Sequence, residues 1–224
     1  MRVFWLLFLV GVPLVGYLAY LSWKQEQRRR EQLLVWASAN GYAFTVEDDS
    51  WCERWNAAPF GQGDHRRARN VVTGAIAERP FAAFDYSYET HSTDSKGNRT
   101  TTTHRYVVCS LQLPTVLPML QVTPEGFFSR IGNVLGLDDV ELESEDFNRR
   151  FRVHANDRKF ASDVLSPRTM QALLNRPDLS WRIQGVDIVS WQDGRLLPSA
   201  IIAMTTAMQT VVNGIPSFVW KDHS

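Results

Sequence analysis

The feature that most constrains this chain is an uncharged segment at its N-terminus. Residues Val3 to Trp23 contain no Asp, Glu, Lys or Arg, and a helix of that length rises about 30 Å, which matches the hydrocarbon core of a bilayer. Trp5 and Trp23 lie near its two ends, where amphipathic aromatic rings favour the membrane interfaces. The segment predicts a transmembrane anchor over residues 1–23 that contacts the lipid bilayer through residues 3–23.

A cleaved secretory signal is the alternative for this segment. Such a signal has an apolar core of about 7–15 residues followed by a small-residue cleavage site. Here the apolar segment is longer, and the residues after it are basic. The sequence therefore favours a retained anchor.

Basic residues flank the segment unequally. Arg2 stands alone before it, whereas Lys24, Arg28, Arg29 and Arg30 follow it. Positive charge accumulates on the cytoplasmic side of a membrane protein, so the prediction is a single-pass protein with its N-terminus outside and its domain in the cytoplasm. The four residues after the segment are also candidates for binding lipid head groups. The alternative is that they only set the topology.

Composition and charge limit the other functional classes. Hydrophobic residues make up 44% of the 224 residues and charged residues 21%, as expected of a folded domain. With 24 basic and 24 acidic residues there is no net charge, so the whole chain gives no electrostatic argument for nucleic acid as a partner. The two cysteines, Cys52 and Cys109, do not have a metal-binding spacing.

The remaining chain predicts a juxtamembrane helix over 24–40 and one domain over 41–224. Three segments rich in β-branched and aromatic residues predict antiparallel strands: Val71–Ile76, Phe81–His91 and Thr101–Leu113. Helical segments lie between and after the strands. The predicted fold class is α+β, an antiparallel β-sheet with packed helices, preceded by one N-terminal transmembrane helix.

The register of the second and third strands depends on the turn that joins them. If Gly97-Asn98 is a two-residue turn, Phe84 faces Leu111 and His91 faces His104, with one face of the hairpin apolar and the other polar. A three-residue loop with a bulge at Gly97 is the alternative, and it would shift every pair.

Downstream, local patterns predict further elements. Thr123-Pro124-Glu125 is typical of a helix start, and that helix would end at Gly136. Phe147–Val153 is predicted as a strand. Trp181 to Trp191 is predicted as a hairpin that turns at Gly185.

The predicted hairpin carries a candidate metal site. Directly opposed residues have Cβ atoms about 5 Å apart, so His91 and His104 could share a metal ion, with Glu89 or Asp94 adding an oxygen ligand. The alternative is an ordinary solvated hairpin tip, because two histidines fall short of the usual four-ligand set.

Arginines after an acidic run form a second candidate site. Arg149, Arg150 and Arg152 follow six acidic residues between Asp138 and Asp146. Arginine binds phosphate and carboxylate groups with two parallel hydrogen bonds, so these residues are candidates for binding an anion or an acidic partner. The alternative is an ion-pair network with the acidic run.

Four motifs carry a resemblance to a known family: ARNVVTG (68–74), FDYSYETHSTDSKGNRTTTTHRY (84–106), ESEDFNRRFRVHANDRKFASDVLSPRTM (143–170) and GIPSFVW (214–220). The chain resembles an uncharacterised bacterial family, mostly actinobacterial, of single-span membrane proteins with a domain of unknown function. The resemblance implies a location in the bacterial inner (plasma) membrane. It implies no activity.

Motifs of known enzymes are missing from the sequence, which has no GxSxG, GxxxxGK[ST], HExxH or GxGxxG. No catalytic residue and no cofactor is predicted, and the sequence does not indicate a small-molecule ligand. The first hypothesis is a membrane-anchored cytoplasmic binding or scaffold domain for a protein partner or lipid head groups. The alternative is a membrane-tethered, hydrolase-like enzyme whose site draws on His91, His104, Arg150 and His154.

Overall fold

The computed structural model describes residues 2–126, 138–176 and 178–223. Its helices are α1 (Arg2–Ala39), α2 (Glu145–Arg150), α3 (Arg158–Val164), α4 (Pro167–Leu173), α5 (Pro198–Gly214) and α6 (Ser217–Asp222), with a short 3-10 helix at Asp49–Glu53. Its strands are β1 (Ala43–Glu47), β2 (Asp64–Ile76), β3 (Arg79–Thr93), β4 (Arg99–Pro124), β5 (Asp138–Asp139), β6 (Phe151–Ala155) and β7 (Ser180–Asp193).

Helix α1 joins the N-terminal segment to the sheet. It is 38 residues long, and near its C-terminal end Leu33 and Ala37 are fully buried in the core. Gly41 follows the helix with a φ of 72°, which suits a helix stop because glycine adopts this conformation without steric cost. In the described part of the chain, no helix is long and apolar enough to cross a membrane. The transmembrane span predicted for residues 3–23 is therefore not confirmed.

A seven-stranded antiparallel sheet forms the centre of the fold, and the predicted α+β class is confirmed. The strand order is β1-β2-β3-β4-β6-β5, and β7 pairs with β4 off this path. Strand β4 pairs with β3 along its first half, with β6 near its end, and with β7 between residues 106 and 122. This strand therefore organises the sheet.

The predicted register of the β3–β4 hairpin is wrong. Phe81, rather than Phe84, faces Leu111, and the last pair is Thr93 with Arg99. The connecting loop spans residues 94–98, where the Asp94 side chain accepts hydrogen bonds from the backbone N–H groups of residues 96 and 98. These bonds stabilise a longer loop than the two-residue turn, and every pair shifts by three positions.

The corrected register leaves both faces of the sheet buried. On one face, Val107, Cys109 and Leu111 pack in a core with Leu33 of α1 and Ile201 of α5. The other face is covered by residues 51–60, here called the aromatic cover, whose Trp55 and Phe60 pack on Phe84, Tyr86 and Trp191. The sequence predicts a half-exposed sheet with one polar face. This prediction is wrong because the aromatic cover buries the second face.

Two further predictions need correction. Of the strand predicted over Phe147–Val153, only residues 151–153 lie in a strand, β6, whereas residues 147–150 belong to helix α2. The Ser144 side chain accepts the backbone N–H of Phe147 and caps this helix. Strand β7 is continuous through Gly185, whose φ of 63° accommodates an irregular register opposite Leu117. The helix predicted to end at Gly136 lies largely outside the described residues.

Candidate functional site

A cleft lies between α1 and strands β2, β3 and β4, close to the turn that follows β7. Its volume is about 180 Å³. We call it the basic cleft, and it is lined by Glu26, Arg29, Arg30, Arg69, Asn70, Asp85, Tyr86, Ser87, Arg105, Tyr106, Gly194 and Arg195.

Arg29 forms the floor of the basic cleft and ties α1 to the sheet. Its Nη1 donates to Asp85 Oδ2 at 2.7 Å and to the backbone oxygen of Leu196 at 3.0 Å, and its Nη2 donates to Glu26 Oε1 at 2.8 Å. Burial alone would lower the pKa of Arg29, but the Asp85 and Glu26 carboxylates outweigh it and raise that pKa. The Arg29 guanidinium is therefore a permanently charged structural link.

Asn70 joins the same network from β2. Its Nδ2 donates to Asp85 Oδ2 at 2.7 Å and to Glu26 Oε1 at 3.3 Å. Burial would raise the pKa of Glu26, yet hydrogen bonds from Arg29 and Asn70 and the positive charge of Arg29 lower it. Asn70 Oδ1 and Arg30 Nε are buried and make no hydrogen bond within the described ranges.

The rim of the cleft is cationic. Its lining contains five arginines and two carboxylates, and both carboxylates are already bound to Arg29. Arg195 and Arg30 lie only within ion-pair range of Glu26, at 3.6 and 3.5 Å. Arg105 is exposed. Because arginine binds planar and tetrahedral anions bidentately, this arrangement suits a phosphate or carboxylate group.

The four residues predicted to bind lipid head groups separate in the structure. Arg29 and Arg30 line the basic cleft. Lys24 lies over the Tyr20 ring, 5.9 Å from its centroid, and Arg28 is exposed outside the cleft lining. The flank of the apolar segment therefore contributes half of its candidates to the site.

Arg69, Arg105 and Arg195 are the cleft arginines that the sequence analysis missed. Arg69 pairs with Asp85 across β2 and β3, and Arg105 pairs with Ser87 across β3 and β4. In the correct register the two arginines therefore flank the same stretch of β3. The two arginines are visible in the sequence, but their proximity depends on a strand register that the turn pattern did not predict.

Arg149, Arg150 and Arg152 lie on two different elements. Arg149 and Arg150 lie on α2, and Arg149 pairs with Asp146 one turn earlier. Arg152 lies on β6 and binds Glu125 with two hydrogen bonds of 2.6 and 2.8 Å, which lower the pKa of that carboxyl. These contacts are those of a surface ion-pair network.

His91 and His104 do not face each other. His91 pairs with Thr101, while His104 pairs with Tyr88, stacks on its ring at 4.7 Å and hydrogen-bonds Thr90. Tyr88 and His91 are three residues apart on one strand, so the two histidines lie on opposite faces of the hairpin. The predicted metal-sharing pair is therefore wrong in its geometry.

Comparisons with known proteins support the fold and leave the activity open. Residues 98–179 match a family model described as "Protein of unknown function (DUF3137)", and no curated protein matches the chain. Among solved structures, the mycobacterial trehalose monomycolate transport factor A, TtfA, is similar, with a TM-score of 0.64 and 12% identity over 84% of this chain and 96% of that chain. At that identity the likeness shows the fold alone. The family match fits the resemblance to an uncharacterised family with a domain of unknown function.

Proposed function

We propose that this chain is a membrane-attached binding domain whose basic cleft takes the anionic head group of a lipid. The observation that carries the proposal is the position of the cleft beside the exposed apolar part of α1. A binding role is also compatible with the name of the transport factor that shares the fold.

The described part of α1 that precedes the cleft is apolar and exposed. Its large apolar side chains that are at least half exposed are Leu14, Val15, Tyr17, Leu18, Tyr20 and Trp23. An exposed apolar surface of this kind marks an interaction site, and tyrosine and tryptophan favour the membrane interface. We therefore assign this surface to attachment to a bilayer.

The cleft follows this surface along the same helix. From Trp23 to Arg30 the helix rises about 10 Å, so a cleft arginine would lie near the head groups of a lipid that contacts the apolar surface. The volume of about 180 Å³ is smaller than the roughly 300–1,000 Å³ of sites that enclose a whole drug-sized molecule. It suits a head group whose acyl chains stay in the bilayer.

The basic residues that follow the apolar segment also favour one side of the membrane for the domain. Lys24, Arg28, Arg29 and Arg30 follow the apolar segment and only Arg2 precedes it, which favours a cytoplasmic domain. The head groups that meet the cleft would then be those of the cytoplasmic leaflet, whose anionic lipids attract basic residues.

Lipid titration tests this proposal. The full chain is placed in nanodiscs of zwitterionic lipid and titrated with a soluble, short-chain phosphatidylglycerol. Removing two rim charges with R69Q and R105Q should weaken binding about 30-fold, because each basic residue near a membrane surface contributes about 1 kcal/mol. The matched control is R149Q with R150Q, which removes the same charge from α2 and should leave the affinity unchanged.

Equal losses in the two double variants would contradict the proposal, because binding would then follow net charge and not the cleft. Equal affinity for phosphatidylglycerol and short-chain phosphatidylcholine would contradict the anionic head group.

A further inference from the structure

A β-bulge at the start of β2 creates an unusual backbone next to Glu89. Asp64 pairs with Glu89 and Arg67 with Ser87, so β2 has one residue more than β3 over this interval. His65 lies inside the bulge with a φ of 51°, a left-handed conformation that few residues other than glycine adopt. Bulges of this kind redirect a side chain, and they are frequent beside functional sites.

The bulge directs His65 towards two side chains on β3. Its Nδ1 lies 3.3 Å from Glu89 Oε2. Glu89 and His91 are two residues apart and share one face of the strand, and the ligand atoms of His65, Glu89 and His91 all lie within 4.8 Å of one another. Asp64 lies beside this group, with its Oδ2 at 3.9 Å from His91 Nε2.

The distances are close to those of a tetrahedral metal site. Zinc bonds of about 2.0–2.1 Å to nitrogen and oxygen place neighbouring ligand atoms about 3.3 Å apart. His65 and Asp64 are largely exposed, with relative side-chain exposures of 71% and 73%, so they can close the remaining gap by rotating.

A neighbouring hydroxyl orients one of the histidines. His91 Nδ1 lies 2.9 Å from Thr101 Oγ1 on the paired strand. In the tautomer that donates this hydrogen bond, Nε2 carries the free lone pair, and Nε2 is the atom that lies near Asp64. A second hydrogen bond that fixes the ring and tautomer is usual for metal-binding histidines.

We infer that His65, Glu89, His91 and Asp64 bind one divalent transition-metal ion. Two imidazole and two carboxylate ligands suit Zn²⁺, and also Ni²⁺ or Cu²⁺, whereas Ca²⁺ and Mg²⁺ favour oxygen ligands alone. The site differs from the His91–His104 pair that the sequence predicts, because its second histidine comes from β2. It shares no residue with the basic cleft, so neither proposal depends on the other.

Zinc binding by the untagged full chain tests the inference. Isothermal titration with ZnCl2 should show one ion per chain, and Co²⁺ should give the intense visible absorption of a four-coordinate site. H65A and H91A should each weaken binding by at least about tenfold, and T101V by about tenfold through loss of the second hydrogen bond. Circular dichroism checks that each variant folds.

His104 provides the matched control, because it is a histidine of the same hairpin on the opposite face. H104A should bind zinc as tightly as the unmodified chain. No saturable binding at millimolar zinc, or equal losses in H104A and H91A, would overturn the inference. If H65A and H91A fail to fold, E89Q provides the same test without removing a ring.

Discussion

Arg182 on β7 offers the sharpest test of how the aromatic cover is held. The residue is completely buried, and burial lowers the pKa of its guanidinium to about 9, which leaves it charged at neutral pH. Its Nε donates to Gln121 Oε1 at 2.8 Å, its Nη1 donates to the Ala57 backbone oxygen at 2.9 Å, and its Nη2 donates to that of Ala58. One side chain therefore fixes two successive carbonyls of the cover.

Replacing Arg182 by alanine should destabilise the fold by about 4 kcal/mol. An acceptor that stays buried without its donor costs about 1–3 kcal/mol. This applies in full to Gln121, which is buried, and in part to the half-buried Ala57 and Ala58 oxygens. Loss of the contact with the Trp191 ring, 5.1 Å from the guanidinium carbon, adds to this cost. Water that enters the space and removal of a buried charge offset part of the cost. The expected net destabilisation of about 4 kcal/mol therefore lies near the lower end of the summed hydrogen-bond and ring-contact losses.

Urea unfolding of the full chain in detergent measures this change. Tryptophan fluorescence should shift to longer wavelength at low urea, because Trp51 and Trp55 belong to the loosened cover. The control is R149A, an exposed arginine on α2, which should change the free energy of unfolding by less than about 0.5 kcal/mol. If R182A lowered the free energy of unfolding by less than about 1 kcal/mol, the reasoning would be refuted. The free energy gained by removing a buried charge would then balance the free energy lost with the hydrogen bonds.

Three further predictions concern other parts of the chain. Burial lowers the pKa of His154 from its usual 6.5, so the folded state binds fewer protons near neutral pH than the unfolded state does. The free energy of unfolding should therefore decrease from pH 7 to pH 5, and this decrease should be smaller in H154Q. G63A should lower the free energy of unfolding by more than the roughly 1–2 kcal/mol of a strained left-handed residue, because a Cβ at Gly63 would lie 2.2 Å from the Glu89 backbone oxygen. The control is G97A, whose Cβ meets no atom within 4 Å. Thermal unfolding compares the two variants. If the domain is cytoplasmic, a fluorescent protein fused after Ser224 should be active, and alkaline phosphatase fused at the same position should be inactive. The opposite result would place the domain outside.

Elements with strong local signals were predictable from the sequence. Ser166-Pro167 starts α4, and the Ser166 hydroxyl accepts the backbone N–H of Thr169 as a cap should. Helix α5 begins at Pro198 and ends at Gly214, in line with the preference for proline at helix starts and glycine at helix ends. These signals act within one helical turn, so no tertiary contact is needed to interpret them.

Properties that depend on pairing between distant residues were not predictable in the same way. The β3–β4 register follows from side-chain bonds of Asp94 inside the loop, and the turn pattern at Gly97 pointed to a shorter loop. Arg29 and Arg30 of the cleft were found through their position after the apolar segment, whereas Arg69 and Arg105 come together only when three strands pair. The aromatic cover escaped prediction because no local pattern says which face of a sheet a loop will bury.

The central position of β4 has a consequence for how the chain folds during synthesis. One edge of β4 can pair at once with β3, which immediately precedes it, but its other edge waits for β7, which ends at Asp193. At about 5–20 residues per second, the ribosome needs roughly 3–14 s to make the intervening chain. During that time a long apolar strand has an unpaired edge, and such edges recruit other strands. Aggregation of the newly made protein should therefore depend on how quickly β7 emerges.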